Sequence, residues 1–434
     1  MKQRGRKVYG LFAVFTVAAV MTSACGDSGK SVEKSKEADS GAPPAPVTLT
    51  YFTQGNSIVL AETIESLVHK KFPHVTLKTI KDGKGTTIFD VLNGGQTPDL
   101  ISYSLGGLGD MKTLRLLGDL TPLIQKHRFD LGRLVPGAVD TVKSYSDKGE
   151  FLLMPFELNN NAIFYNKNIF DKFGVPYPKD GMTWEEMLDV AKKVTRKDGG
   201  VQYMGFQYNA LNVVYKDQLA QGFVDPKTNK AAINTDSWKR WLDVMTSFYK
   251  IEGNAQAGDE KANFLKHQTV AMRTGPNYIT DLQEAMAAGL NVDFVSLPKF
   301  SGMSATSSQM NAPFYVIPPS TPHKDTAFQV IAYLMSDEVQ TIMARLGRIP
   351  IINQESVKKE YAKDLKGMEG KNLAAFFQDA IAKPVPATAY DGQAKTIFTN
   401  AAVVPVYQGK KDINTALREA EEQINKYIEA EMKK

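Results

Sequence analysis

From residue 47 onward the chain alternates short strand-like runs with amphipathic helical stretches, and this alternation constrains the fold more than any other feature. Residues 47–52 alternate with the two-residue period of a strand, and residues 75–80 form the next such run. Between them, apolar residues recur at helical spacing until Pro73 ends the run. Strands separated by helices predict an α/β architecture built around largely parallel sheets.

Several later stretches carry helix signals. Residues 183–186 have the sequence Thr-Trp-Glu-Glu, which matches a capping box ahead of an apolar stripe. Asp236 is predicted to cap a second helix, and residues 324–346 and the stretch after Asp412 are predicted to be helical as well. The chain has three tryptophans, which we expect in the core: Trp184, Trp238 and Trp241.

Residues 1–24 have the layout of a secretory signal peptide. Four basic residues precede residues 8–24, a stretch of 17 residues without charge. This stretch is shorter than the roughly 20 apolar residues that a membrane-spanning helix needs. It ends in Thr22-Ser23-Ala24-Cys25, which resembles a bacterial lipobox, in which the cysteine is acylated and becomes the mature N-terminus. We therefore predict a signal peptide over 1–24 and lipidation of Cys25, with a free thiol as the alternative.

Residues 25–46 are predicted to form a flexible linker behind the lipid anchor. Residues 26–46 are rich in Gly, Ser, Lys, Glu, Asp, Ala and Pro, and Val32 is their one apolar side chain larger than proline. Of the 52 basic residues, four lie in the signal segment, so 48 remain against 47 acidic residues. A body this close to neutral fits a neutral ligand and argues against nucleic acid as a partner.

The composition and the absence of common motifs exclude several classes. With 43% hydrophobic and 23% charged residues, the chain has an ordinary globular composition. A single cysteine excludes a disulfide framework and a thiolate zinc site, and the five histidines are scattered, so we expect no metal. No Gly-x-Ser-x-Gly elbow or dinucleotide motif occurs, and residues 83–86 are better explained as a surface turn than as a phosphate loop. We expect neither a cofactor nor catalytic residues.

A series of short motifs runs along most of the body. In chain order they occupy residues 98–101, 120–124, 164–170, 183–186, 270–276, 332–336 and 347–350. This ordered set resembles extracellular solute-binding proteins (family 1) of bacterial carbohydrate ABC transporters, and its layout is similar to that of maltodextrin-binding proteins. The resemblance covers the chain from about residue 47 to the C-terminus.

The resemblance implies an α/β, two-lobe periplasmic-binding-protein-like fold with a hinge and an interlobe ligand cleft. Lobe 1 would comprise residues 47–156 and 311–351, and lobe 2 residues 157–310 and 352–434. The chain would cross between the lobes near residues 157–159, near residues 308–312 and after residue 351. The implied function is that of a lipid-anchored receptor that captures a sugar or oligosaccharide and delivers it to an ABC transporter permease.

A sugar site needs aromatic planes for the C–H faces and planar polar groups for the hydroxyls. Matching the motifs position by position gives ten candidate ligand-binding residues: Gln54, Asn56, Ser57, Tyr103, Ser104, Asn159, Asn277, Tyr278, Asn311 and Arg348.

Three positions depart from the maltodextrin-binding pattern. Gly106 stands where those binders have an acidic sugar ligand, Asn159 replaces a hinge glutamate, and Asn277 replaces a tryptophan that stacks on sugar, a role that Tyr278 could share. Because of these departures, the resemblance does not fix which sugar is bound.

Other classes of function stay open from the sequence. A secreted carbohydrate-active enzyme would need a carboxylate pair in the cleft, and a surface sugar sensor or adhesin would need no transporter. A receptor of the same class could instead bind an amino acid, a polyamine, phosphate or, least consistent with the few histidines, a metal. We expect a monomer on the outer face of the cytoplasmic membrane, held by the lipid on Cys25, with permease subunits as partners.

Overall fold

The structure of the protein is a computed structural model. This structure describes residues 44–54, 58–210, 213, 217–255, 259–275, 277–386 and 388–433. The predicted signal peptide, Cys25 and most of the linker lie outside the described residues, as do the candidate ligand contacts Asn56 and Ser57. Residues 45–434 form one compact unit by their internal contacts.

The strands, numbered along the chain, are β1 (Val47–Thr53), β2 (Val75–Lys81), β3 (Leu100–Tyr103), β4 (Met154–Pro155), β5 (Glu157–Leu158), β6 (Ala162–Asn166), β7 (Arg196–Asp198), β8 (Val201–Tyr208), β9 (Val224–Asp225), β10 (Lys230–Ala231), β11 (Val270–Gly275), β12 (Val292–Val295), β13 (Thr306–Gln309), β14 (Phe314–Val316), β15 (Ile349–Pro350) and β16 (Ala380–Ala382).

The α-helices of the described residues include Ile58–Lys71, Ile88–Asn93, Leu108–Thr113, Thr121–Lys126, Ala138–Lys143, Lys167–Phe173, Trp184–Val194, Asp236–Ser247, Glu260–Leu265, Leu282–Ala287, Lys324–Leu334, Asp337–Arg345, Glu355–Lys358, Asp391–Phe398, Val404–Tyr407 and Ile413–Glu431. Across the described part of the chain, no helix combines the length and the apolar character that crossing a membrane requires.

Two five-stranded sheets organise the fold. The first has the order β2-β1-β3-β14-β4, in which β1 runs parallel to β2 and β3 while β14 is antiparallel to both of its neighbours. The second has the order β12-β6-β11-β8-β7, in which β8 and β11 are parallel and the other three pairs are antiparallel. The alternation of strands and helices is confirmed, whereas the prediction of largely parallel sheets is wrong for the second sheet.

One antiparallel pair has a visible local cause. β7 and β8 are joined by Gly199 and Gly200, whose φ angles are 57° and 83°. A two-residue hairpin with positive φ at both positions matches the right-handed twist of the flanking strands, and glycine adopts this conformation at little cost. The strand after the turn therefore returns beside the strand before it.

The predicted helix starts are confirmed with one exception. The Thr183 side chain accepts the backbone N–H of Glu186, whose side chain in turn accepts the N–H of Thr183, which completes the capping box. The helix predicted after Asp412 is present, and the Asp412 side chain caps it by accepting the backbone N–H of Thr415. Asp236 is not a cap, because Thr235 occupies that position and accepts the N–H of Trp238, which leaves Asp236 as the first helical residue.

The central strands β6 and β11 of the second sheet are buried on both faces. Phe164 of β6 packs in the same hydrophobic cluster as the strands of the first sheet, while its neighbours Ile163 and Tyr165 pack in a second cluster. The change of face with each residue follows from the two-residue period of a strand. The second cluster also takes up one face of the C-terminal helices and all three tryptophans, which confirms that Trp184, Trp238 and Trp241 are core residues.

Candidate functional site

A cavity of about 310 Å³ lies between parts of the chain that are far apart in sequence. One wall is formed by the turn Leu105–Gly107 and the helix Leu108–Thr113, which directly follow β3. The opposite wall is formed by residues 221–223, by Gln309 at the end of β13, and by the start of the helix Asp391–Phe398. The charged and amide side chains on these walls are Asp110, Lys112, Gln221, Gln309, Asp391 and Lys395.

The first wall depends on a close approach of backbone to an aromatic ring. A Cβ atom added to Gly107 would lie 2.0 Å from the Tyr103 ring, so this position accepts only glycine without a local shift. The Tyr103 ring also stacks on Phe52, with the ring centroids 6.2 Å apart, and is 5% exposed. Tyr103 therefore lies beneath the turn, and its ring does not line the cavity.

Polar side chains gather where β1 and β3 end. The Gln54 side-chain oxygen accepts from the Ser104 hydroxyl at 2.8 Å, and its nitrogen donates to the Asp82 carboxylate at 3.4 Å. Burial raises the pKa of Tyr103, and the negative charges of Asp110 and Asp82 raise it further. The structure thus brings together three predicted contacts, Gln54, Tyr103 and Ser104, beside the first wall of the cavity.

Three other predicted contacts meet where β5 and β13 lead between the two sheets. The Asn159 backbone N–H donates to the Asn311 carbonyl at 2.6 Å, and the Asn159 side-chain oxygen accepts the Asn277 N–H at 2.7 Å. The Asn277 side chain donates to the Gly347 carbonyl at 2.8 Å and accepts from Ile279. The side-chain amides of Asn159 and Asn277 thus bind other segments of the protein, and Asn311 takes part through its backbone carbonyl. Ligand contacts of all three residues stay a prediction.

Arg348 is paired with a buried carboxylate at the same crossing. Its guanidinium donates to Glu157 at 3.2 Å, and Glu157 is 7% exposed. Burial raises the pKa of Glu157, and the positive charge of Arg348 offsets part of that increase. β5 and β15 pair at this point, with Leu158 opposite Ile349. The ion pair therefore lies beside this short antiparallel pairing, and neither Glu157 nor Arg348 lines the cavity.

Two cationic side chains lie over the Tyr278 ring. The Lys261 ammonium lies 4.7 Å from the ring centroid and the Arg273 guanidinium 4.5 Å from it. Arg273 is 2% exposed and forms an ion pair with Glu260 at 3.1 Å. Tyr278 does not line the cavity, and its proposed stacking on sugar stays a prediction.

Burial shifts the pKa of two groups on the cavity walls in the direction that favours the neutral form. It raises the pKa of Asp110 and lowers the pKa of Lys395, because leaving water disfavours the charged form of each. The Asp391 carboxylate accepts the Thr388 N–H at 2.6 Å at the start of its helix. Carboxylates, amides and hydroxyls on facing walls can hydrogen-bond a polyhydroxylated molecule, and the described residues contain no cluster of three or more His, Cys, Asp or Glu suited to a metal.

The sequence predictions missed most of these wall residues. Gly106 was noted and does line the cavity, but Asp110, one helical turn further on, was not identified. Gln221, Gln309 and Asp391 carry no local signal, because their common position depends on long-range packing. An acidic residue in a short helix after a strand, as at Asp110, was the one available indication.

The chain belongs to the bacterial extracellular solute-binding protein family, whose sequence model matches residues 74–370. An ABC transporter extracellular-binding protein of Pyrococcus horikoshii is 21% identical over 346 residues, which cover 74% of this chain and 76% of that protein.

Solved structures share the fold. An ABC substrate-binding protein from Listeria monocytogenes in complex with cycloalternan superposes with a TM-score of 0.72 at 18% identity, covering 88% of this chain and 99% of that chain. UgpB from Mycobacterium tuberculosis in complex with glycerophosphocholine gives a TM-score of 0.73 at 14% identity, covering 90% of this chain and 100% of that chain. The two-lobe α/β fold predicted from the sequence is thereby confirmed.

Proposed function

We propose that this protein is an extracellular receptor that binds a sugar or short oligosaccharide and delivers it to an ABC transporter permease. The observation that carries the proposal is the cavity of about 310 Å³, whose facing walls present carboxylates, amides and hydroxyls. Membership of the solute-binding family and the likeness to a cycloalternan-bound protein support it.

The size and lining of the cavity favour a short saccharide. The cavity of about 310 Å³ lies at the lower end of the range of roughly 300–1,000 Å³ that is usual for sites of small ligands. The apolar lining includes Phe223 and Leu108, which suit the C–H faces of sugar rings, while the polar groups suit the hydroxyls.

The proposed lobes are residues 47–156 with 311–351, and residues 157–310 with 352–434. Sheet membership supports this division, since β14 lies in the first sheet although it follows the strands of the second in sequence. The cavity walls come from both proposed lobes. A ligand that contacts both walls favours the closed arrangement, because only that arrangement offers all the contacts at once.

The membrane attachment and the transport partner belong to the same proposal. Residues 1–24 would be removed as a signal peptide, a lipid on Cys25 would hold the protein at the outer face of the cytoplasmic membrane, and residues 25–46 would act as a tether. The protein would act as a monomer and present its closed form to the permease subunits. Fatty-acid labelling that is unchanged in the Cys25→Ser variant would contradict the lipid anchor.

Ligand binding is tested by thermal unfolding and calorimetry against a panel of mono- and oligosaccharides. A ligand that binds only the folded state stabilises it by about 2.7 kcal/mol at 100 times its Kd. We expect a shift for at least one saccharide and no turnover of that saccharide on long incubation. A panel without any shift would contradict the sugar receptor, and product formation would favour the carbohydrate-active enzyme.

A phosphate ester of glycerol is a second candidate ligand. Lys112 and Lys395 line the cavity and supply positive charge, and the structurally similar UgpB is in complex with glycerophosphocholine. Glycerophosphocholine therefore belongs in the same panel. Stabilisation by that compound without stabilisation by any saccharide would favour this candidate over the sugar.

A further inference from the structure

The Asp110 carboxylate is an unpaired acceptor on the first wall of the cavity. It lies in the helix Leu108–Thr113 and is partly buried. Among the described residues it has no hydrogen-bond or ion-pair partner, and Lys112 two residues away does not pair with it. A carboxylate that has left bulk water without gaining a partner costs free energy, and burial accordingly raises its pKa.

The Gln309 amide presents a second unpaired acceptor from the opposite wall. Gln309 ends β13 and is 4% exposed. Its side-chain nitrogen donates to the Asp217 carbonyl at 3.3 Å, which fixes the orientation of the amide. The side-chain oxygen has no hydrogen-bond partner in the described part of the chain, and the residue lines the cavity.

Two acceptors that face one cavity from opposite walls specify the chemistry of what binds between them. Each acceptor needs a donor once a ligand has displaced water from the cavity, because a polar group that is then buried and left unsatisfied costs about 1–3 kcal/mol. A carboxylate with two oxygens can accept from two adjacent hydroxyl groups at once. A polyol that carries a vicinal pair of hydroxyls at one end and a further hydroxyl toward the amide satisfies both walls.

We propose that Asp110 and Gln309 determine the specificity of the site, with the Asp110 carboxylate accepting from a vicinal hydroxyl pair and the Gln309 oxygen accepting from a hydroxyl on the far side. This inference rests on the proposed sugar-binding function and names the part of the sugar that is recognised. It assigns the contacts to residues outside the ten predicted from the sequence.

The test uses the saccharide that most stabilises the wild-type protein. Asp110→Asn keeps the side-chain size but removes the charge and one acceptor, and we expect its affinity by calorimetry to fall at least 10-fold. Asp110→Ser, a second variant, should fall by a similar factor. The matched control is Asp140→Asn, which neutralises an exposed carboxylate in the helix Ala138–Lys143 away from the cavity and should bind like wild type.

Gln309 is tested by Gln309→Met, which keeps the length of the side chain and removes the acceptor. Because this change also removes the bond to the Asp217 carbonyl, thermal unfolding without ligand is measured alongside. We expect the affinity of the variant to be at least 5-fold lower than that of the wild type, and this loss should persist at temperatures where the variant is fully folded. Full affinity in the folded variant would overturn the role of Gln309.

Deoxy analogues of the same saccharide separate a direct contact from a structural effect. Removing the hydroxyl that Asp110 binds should weaken binding to the wild type but cost the Asp110→Asn variant much less, whereas a structural effect would cost both proteins equally. Equal affinity of Asp110→Asn and wild type would overturn this inference and leave the sugar receptor standing. A wild-type protein that binds no saccharide would overturn the proposed function itself, before any variant is measured.

Discussion

Asp217 provides a stability test that is independent of the ligand. Its side chain is 2% exposed, and burial raises its pKa from 3.8 to about 7. The carboxylate accepts the backbone N–H groups of Leu219 at 2.7 Å and Gln221 at 3.5 Å, which partly offsets the effect of burial. The residue thus holds the loop that leads into the second wall of the cavity.

The perturbation is Asp217→Asn, and its effect on the free energy of unfolding depends on pH. The folded state retains the proton of Asp217 to a higher pH than the unfolded state does. The free energy of unfolding of the wild type therefore falls as pH rises from about 4 to about 7, and above pH 7 the contribution of Asp217 to it stays nearly constant. A pKa difference of about three units corresponds to about 4 kcal/mol. Asparagine keeps an oxygen for the Leu219 N–H and carries no charge at any pH.

We therefore expect Asp217→Asn to exceed the wild type in stability by about 2–4 kcal/mol at pH 8 and by much less at pH 4. Urea unfolding followed by circular dichroism at several pH values between 4 and 9 measures the difference. Asp140→Asn is the control, because Asp140 is exposed. Parallel pH profiles for the wild type and Asp217→Asn would contradict this expectation, since they would mean that the two N–H donors alone satisfy the charged carboxylate and that its burial costs nothing.

Three further predictions concern packing, a buried ion pair and a helix cap. Gly107→Ala forces a Cβ atom into the Tyr103 ring and should lower the unfolding free energy by about 1–3 kcal/mol and weaken ligand binding; unchanged stability in urea unfolding would contradict the close approach. Arg273→Met leaves the Glu260 carboxylate buried without its partner and should cost about 3–5 kcal/mol in the same assay, less if Glu260 is also replaced by Gln. Asp412→Ala removes the cap of the last helix and should cost about 1 kcal/mol, whereas Asp412→Asn should cost less, as measured by thermal unfolding.

Local features of the fold were predictable because their causes lie within a few residues. The capping box at Thr183 and the cap at Asp412 need only the backbone of their own first turn. The strand directions of the second sheet were not predictable in the same way. β6 pairs with β11 and β12, more than 100 residues further along the chain, and no local pattern sets the direction of such a pairing.

The same distinction between local and long-range causes applies to the residues of the candidate site. Gln54, Tyr103 and Ser104 lie together because they are at or directly after the ends of neighbouring strands of one sheet, which sequence reasoning can anticipate. The use of Asn159 and Asn277 in binding other segments could not be anticipated, since it depends on which carbonyl and N–H groups meet at the crossing. The opposite wall, including Gln309, follows from packing over some 200 residues of separation and leaves no mark in the local sequence.

The placement of the two cavity walls has a consequence for biogenesis. Residues 105–113 of the first wall are synthesised early, but the opposite wall requires the start of the helix Asp391–Phe398, close to the end of the chain. No ligand can stabilise the protein by binding across the cavity until nearly the whole chain has been made and has folded. The hydrophobic core alone must therefore stabilise the protein while it folds, and the ligand binds only after folding is complete.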